Sequence, residues 1–380
     1  MSAALFTAAV RLSVPLVAPD IGEDEIGAVV RVLRSGQLAQ GPEVAAFEAE
    51  VAGLCGGTQG VAMSSGTAAV HAGLAALGVG PGDEVLTTPF TFAASATPIL
   101  MLGATPRFVD VDPRTFVLEG ESAAAAAGTS TKAAVLVDLF GLAVDPAGVA
   151  ALVRRGVRVF EDACQAIGGS RGGKPAGSIG EAASLSFYAT KNVTTGEGGM
   201  LLTGDPGIAA AARRFRQHGQ GERYEYLELG YNYRMTDMAA ALGRAQLARL
   251  DAFQAARRAN AAFYARELEG IAGLSLPVTP AGAVHAYHQY SVLVDAETTA
   301  NGAGRDAVRA SLAEEGVSTG IYYPSPLHTQ PLFEGLGYGP GDFPVAERLA
   351  ATILALPIHP RLEAEQREYV VRALRRALGA

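Results

Sequence analysis

The chain has 380 residues and a formal net charge of −8, with 49% apolar and 18% charged residues. That length buries a large core and predicts two domains, and the composition excludes a disordered chain. The acidic balance, with no dense Lys/Arg run, argues against nucleic acid as the main partner.

The Met1 to Val14 stretch has neither a basic start nor a cleavage pattern. The apolar run AAVLVDLFGLAV is short and carries Asp138, so no membrane segment is expected and the location is expected to be cytoplasmic. From about residue 58 to 205, short β-rich runs alternate with alanine-rich helical ones. VAMSS (61–65) precedes the helical GTAAVHAGLAALG, and DEVLTTP (83–89) precedes TFAASATPILMLG. PRFVDVD (106–112), AAVLVDLF (133–140), VRVFEDA (157–163), ASLSFYA (183–189) and GMLLTG (199–204) follow. Apolar strands separated by helices predict a mostly parallel sheet covered on both faces, an α/β domain with ligands beyond the carboxyl ends of its strands.

Farther on, Thr236 is the expected N-cap of one long helix that carries Met238, Leu242, Leu250 and Phe253, ends near Gly270 and bridges two domains. QYSVLVDA, AVRASLAEEG, VSTGIYY and QREYVVRALRRAL then predict a smaller α+β unit. The boundary is placed between residues 250 and 251, giving a large unit 1–250 with an N-terminal arm and a small unit 251–380. Cys55 and Cys164 are too few for a disulfide framework, and the six histidines form no HxxxH or HExxH pair, so no protein-ligated metal is expected.

Three strand ends carry the chemistry. SSGTAA (64–69) runs from a strand straight into a helix, where free backbone N–H groups suit a phosphate; a capped tight turn explains it equally well. There is no P-loop and no GxGxxG. EDACQA (161–166) ends a strand with two acids, and adjacent strand residues face opposite sides, so only one of Glu161 and Asp162 is expected to face a site. The other reading is that the two acids cap a helix or pair with arginines; the sharper one aims a buried carboxylate at a cationic ring nitrogen. SLSFYATKNVTTGEGGM (184–200) sets Lys191 at the sheet mouth between hydroxyls and a glycine-rich turn, where desolvation makes it an amine nucleophile for Schiff-base chemistry; a solvated loop lysine is the plainer alternative.

Together with SGQLAQGPEVAAFEAEVAGLCG (35–56), LGYNYRMTDMAAALGRAQLARLD, IYYPSPLH and LPIHPRL, these motifs resemble the sugar aminotransferases of the DegT/DnrJ/EryC1/StrS group. The group consists of fold-type I enzymes dependent on pyridoxal 5'-phosphate (PLP). The resemblance covers nearly the whole chain and implies a seven-stranded, mostly parallel sheet in the large domain. It implies that Lys191 forms the Schiff base with PLP and moves the proton between substrate carbon and cofactor. Asp162 would sit on the pyridine nitrogen, Gln165 would bond the 3'-oxygen and Phe92 would stack on the ring, although Phe92 is as readily a core residue. Ser65, Gly66, Thr67 and Ser186 would hold the phosphate. Asn232 would reach the phosphate of the neighbouring subunit's cofactor, which implies a homodimer with shared sites.

The implied reaction is ping-pong transfer from L-glutamate, through pyridoxamine 5'-phosphate, to a keto sugar on a nucleoside diphosphate. A free cyclitol ketone is the alternative acceptor, and a non-catalytic PLP-binding regulator the alternative class. Lys191 argues against relatives that replace the lysine with histidine to act as dehydratases. Tyr322, Tyr323, His328, His218 and Arg234 lie where the group contacts substrates, each with packing as the rival explanation. His71 is expected to be structural, and Cys164 a small strand-end residue.

Overall fold

The computed structural model describes residues 12–57 and 59–380; the part of the expected N-terminal arm in residues 1–11 lies outside these. All seven predicted β runs form strands of one sheet: β1 (Gln59–Met63), β2 (Glu84–Thr87), β3 (Thr105–Phe108), β4 (Thr131–Val137), β5 (Arg158–Asp162), β6 (Ala182–Ser186) and β7 (Gly199–Thr203). Their spatial order is β1-β7-β6-β5-β4-β2-β3. Only β7 runs against its neighbours, pairing antiparallel with both β1 and β6. The others pair in parallel, so their carboxyl ends lie along one edge.

Both faces are covered, which is why the strands read as unbroken apolar runs: β7 is buried throughout, and so are the last five residues of β4. The helix Gly66–Ala76 packs on β6 and β7 so closely that a Cβ on Gly73 would lie 2.2 Å from the Phe160 ring. Glycine there lets helix and sheet touch.

A second sheet, β8 (Leu274–Ser275), β9 (Tyr290–Val294) and β10 (Ile353–Leu356), is antiparallel in that order. Its Tyr290, Val292 and Leu354 share a second apolar cluster with the helices Arg305–Glu314 and Ala364–Leu378 and with Val14. Leu327, Phe333, Phe343 and Ile353 pack instead in the cluster of the large sheet.

Three local expectations are corrected. Thr236 is an N-cap, its Oγ1 accepting from Ala239 N at 3.2 Å, but the helix it starts ends at Leu247 and a second runs Leu250–Leu268. The junction residue Arg249 is held by Asp20 at 2.6 Å and Glu25 at 2.9 Å, partners more than 200 positions away. The second helix contributes Leu250 to the first cluster and Tyr264 and Leu268 to the other, so the bridging role falls to it alone. TFAASATPILMLG forms a 3₁₀ turn, Ala93–Ser95, then a short helix, Thr97–Met101, because Pro98 lacks the N–H that a continuous helix would need. VSTGIYY makes only isolated bridges, Val317 with Val14 and Gly320 with Ala355.

Candidate active site

A cavity of about 620 Å³ opens beyond the carboxyl ends of β1, β5 and β6. Its floor starts at the turn from β1 into the helix Gly66–Ala76. Ser65 caps that helix, its Oγ accepting from Ala68 N at 3.1 Å. The N–H groups of Gly66 and Thr67, in the first turn, have no acceptor within the helix and line the cavity with the positive end of the helix dipole. A Cβ on Gly66 would come within 2.9 Å of both Cys164 Sγ and Ser186 Cβ, so only glycine lets this turn, β6 and the end of β5 converge.

The two acids of β5 separate as strand alternation requires. Glu161 faces away from the cavity, fully buried, and accepts backbone N–H bonds from Gly177 at 2.8 Å, Ile179 at 2.7 Å and Gly180 at 3.3 Å. Beside it lies Asp138, also fully buried; burial and the Glu161 charge push the Asp138 carboxyl well above the usual carboxylate range. Asp162 lines the cavity. Its Oδ2 accepts from Ser95 Oγ at 2.7 Å, and its Oδ1 from Cys164 N at 3.2 Å and Ser184 Oγ at 3.3 Å. Glu161 therefore binds loop backbone, not a helix or an arginine.

Lys191 follows β6 in a turn closed by its N–H bond to Tyr188 O at 2.9 Å. Its side chain enters the cavity and makes no hydrogen bond or ion pair among the described residues. Burial lowers its pKa from the ordinary lysine value, with Cys164 and Asp162 acting the other way. The Cys164 thiol is pushed well up by burial, so it is a neutral neighbour. Gln165 Oε1 accepts from Phe140 N at 2.8 Å, and Nε2 donates to the Tyr323 hydroxyl at 3.2 Å, whose pKa burial raises. Phe92, 59% exposed, stands at the mouth with its ring 6.2 Å from that of Tyr323. It is not a core residue.

Ser65, Gly66, Thr67, Phe92, Asp162, Gln165, Ser186 and Lys191 thus line one cavity, and Tyr322 and Tyr323 join them. Asn232 does not: it is exposed, outside the cavity, in a bridge with Gln217. His328 is buried against Glu347, 3.1 Å away, and His218 and Arg234 also lie outside. His71 is buried, 3.2 Å from the Tyr233 hydroxyl, and burial pushes its pKa down to about 4.

The opposite wall was not anticipated. Arg257 donates to Tyr287 O at 3.0 Å, and burial lowers its pKa to about 10. His288 is held well down by burial and by the charges of Lys191 and Arg257, and His359 lies 3.1 Å from Pro15 O. Arg257 and His288 are single residues with no spacing to mark them; His359 lies within LPIHPRL, quoted for the resemblance without a role for its histidine. Ser95, by contrast, sits three positions after Phe92 in a stretch already singled out.

A family model described as the DegT/DnrJ/EryC1/StrS aminotransferase family matches residues 19–375. The chain is 42% identical to the "Pleiotropic regulatory protein" of Geobacillus stearothermophilus, over 90% of each chain. It is 41% identical to a UDP-N-acetyl-3-dehydro-alpha-D-glucosamine 3-aminotransferase of Acidithiobacillus ferrooxidans, over 92% of each. A Streptococcus pneumoniae chain solved in its PLP form superposes with a TM-score of 0.90 at 28% identity, covering 97% of this chain and 99% of that one.

Proposed function

The chain belongs to the DegT/DnrJ/EryC1/StrS aminotransferase family and is an aminotransferase, and from that premise we propose that it uses PLP to move an amino group from L-glutamate to a keto sugar carried on a nucleoside diphosphate. The observation that carries this reading is Lys191: a half-buried amine with a lowered pKa and without hydrogen-bond or ion-pair partner among the described residues, in one cavity with Asp162 and the turn at Gly66. A lysine desolvated without a partner costs stability, and such a cost is retained where an amine must be available to react.

The residues present fit the cofactor. The N–H groups of Gly66 and Thr67, with the Ser186 hydroxyl, would hold a phosphate at the helix N-terminus, in a space a Cβ would fill. Asp162 would face the ring nitrogen and keep a proton there, Phe92 would cover the ring, and the Gln165 amide would meet its 3'-oxygen. When bound, PLP supplies an aldehyde for amines and a protonated ring that accepts the electrons released at the substrate carbon. Lys191 Nζ then takes the proton from that carbon in one half-reaction and returns one in the other, a task its lowered pKa suits.

Nucleotide-sugar acceptors are supported by the activity named for the Acidithiobacillus ferrooxidans relative. A homodimer with Asn232 reaching the neighbouring site is part of the proposal. Its support is that Asn232 is exposed and follows a segment whose Tyr224, Tyr226, Leu227 and Leu229 are also exposed. The division at residues 250/251 is proposed likewise, supported by the second apolar cluster. A cytoplasmic location is proposed on the same footing; no helix among the described residues is long and apolar enough to cross a membrane.

The test is incubation of PLP-loaded protein with L-glutamate and a panel of keto-sugar nucleotides and inososes, read by mass. Amination of a sugar nucleotide supports the proposal; amination of an inosose alone moves the acceptor to the cyclitols. The name of the Geobacillus stearothermophilus relative favours a second reading, a PLP-binding regulator. A visible imine band that L-glutamate does not bleach would support that one.

A further inference from the structure

The carboxylate of Asp162 is held at both oxygens. Oδ1 is fixed from within β5 and β6 by Cys164 N and Ser184 Oγ, and Oδ2 from outside the sheet edge by Ser95 Oγ at 2.7 Å, the shortest of the three bonds. Ser95 Oγ lies in turn 3.0 Å from Thr91 Oγ1, and both residues are buried. Ser95 Oγ donates to Asp162 Oδ2. Its single hydroxyl proton is then committed, and it accepts from Thr91. The direction of the Thr91–Ser95 bond follows from that of the Ser95–Asp162 bond.

The same turn does two things. Ser95 ends the 3₁₀ turn Ala93–Ser95, its N–H bonded to Phe92 O at 3.0 Å, and Phe92 is the N-cap of that turn. One rigid turn therefore presents a ring at the cavity mouth and a hydroxyl on the acid at its floor. The terminal torsion of an aspartate is broad, so the plane of its carboxylate is set by its partners and not by the side chain itself. Removing the donor on Oδ2 leaves that plane fixed at one oxygen only.

We infer that Thr91 and Ser95 are positioning residues of the reaction, a two-hydroxyl relay that aligns Asp162 with the ring nitrogen and ties that alignment to the placement of Phe92. The inference rests on the reading of the cavity as a PLP site. A charge-assisted bond of this length is among the stronger hydrogen bonds in a protein, and a small misalignment at a reacting centre is amplified in rate.

Three variants test it: Ser95→Ala, Thr91→Val, which keeps the shape of Thr91, and Thr91→Ser, which keeps its hydroxyl. The cofactor-free proteins are compared by melting temperature, and the loaded ones by the position and pH profile of the visible band, by PLP affinity, and by kcat and KM. The relay predicts that Ser95→Ala and Thr91→Val melt close to wild type, shift the band or its titration, and lower kcat about tenfold with little change in KM. Thr91→Ser should restore both band and kcat. Variants that reproduce the wild-type band, pH profile and turnover overturn the relay alone, as does a Thr91→Ser protein no better than Thr91→Val. A wild-type protein that develops no visible band with PLP overturns the cavity reading and the relay with it.

Discussion

Glu161 and Asp162 are neighbours in one strand, both carboxylic acids and both buried, yet they belong to different regions of the molecule. Glu161 stands among backbone N–H groups of the 177–180 loop, where its charge holds a chain segment in place. Asp162 stands in a cavity among side-chain hydroxyls, opposite an amine. The contrast teaches that a carboxylate's task is set by what it faces: saturated with main-chain donors it is structural, and left with a lone pair toward an open space it is available for chemistry.

The comparison can be broken hardest at the amine. Lys191→Ala should lower turnover by at least about a thousandfold, since it removes both the nucleophile and the proton carrier, while circular dichroism and melting stay close to wild type. Retained activity would detach the cavity from the proposed reaction. Next come the two acids. Asp162→Asn should lower kcat roughly a hundredfold with little effect on melting. Glu161→Gln should do the reverse, lowering unfolding free energy by about 1–3 kcal/mol in denaturant titrations because an amide nitrogen now meets N–H donors, with kcat largely kept. Equal kinetic losses in both would erase the distinction.

A smaller effect is expected at Gly66. An alanine there would drive its Cβ to within 2.9 Å of Cys164 and Ser186, so Gly66→Ala should weaken PLP binding about tenfold by equilibrium titration, as the turn moves away from the phosphate. The smallest concerns pH. Burial holds the folded-state pKa of Lys191 below the ordinary lysine value of 10.5. Between those two values the unfolded chain binds more protons than the folded one, so stability rises with pH through that window, and below the folded value the burial cost is present in full. The cofactor-free wild type should therefore gain stability relative to Lys191→Met as pH is raised from neutral toward 10.5, measured by denaturant titration in parallel.

Much of this was legible from residues alone, and the reason differs from case to case. All seven strands of the large sheet were readable because each is a short apolar run closed by polar strand-end residues. The turn at Ser65–Thr67 and the amine at Lys191 were readable because each lies at such an end, within a few positions of its own strand; of the acids Glu161 and Asp162, alternation required only that one face the site, and the family resemblance pointed to Asp162. The break at Arg249 was not: nothing local stops that helix, and its partners Asp20 and Glu25 come from the other end of the chain. Nor was the exclusion of His328, whose partner Glu347 is a helix residue on a different segment. Arg257 and His288 carry no spacing at all, and they come to line one cavity with His359 only in the folded chain.

The sequence by itself therefore determined the alternation of strands and helices, that only one of two adjacent acids can face the site, and where a lysine meets a glycine-rich turn. Those are consequences of side-chain alternation and backbone freedom over a few residues. Tertiary structure alone decided that Ser95 reaches Asp162 across 67 positions, that Gly66 is pressed between Cys164 and Ser186, and that a wall of distant residues faces the amine. Such contacts depend on how whole elements pack, and no local rule of periodicity or capping carries that information.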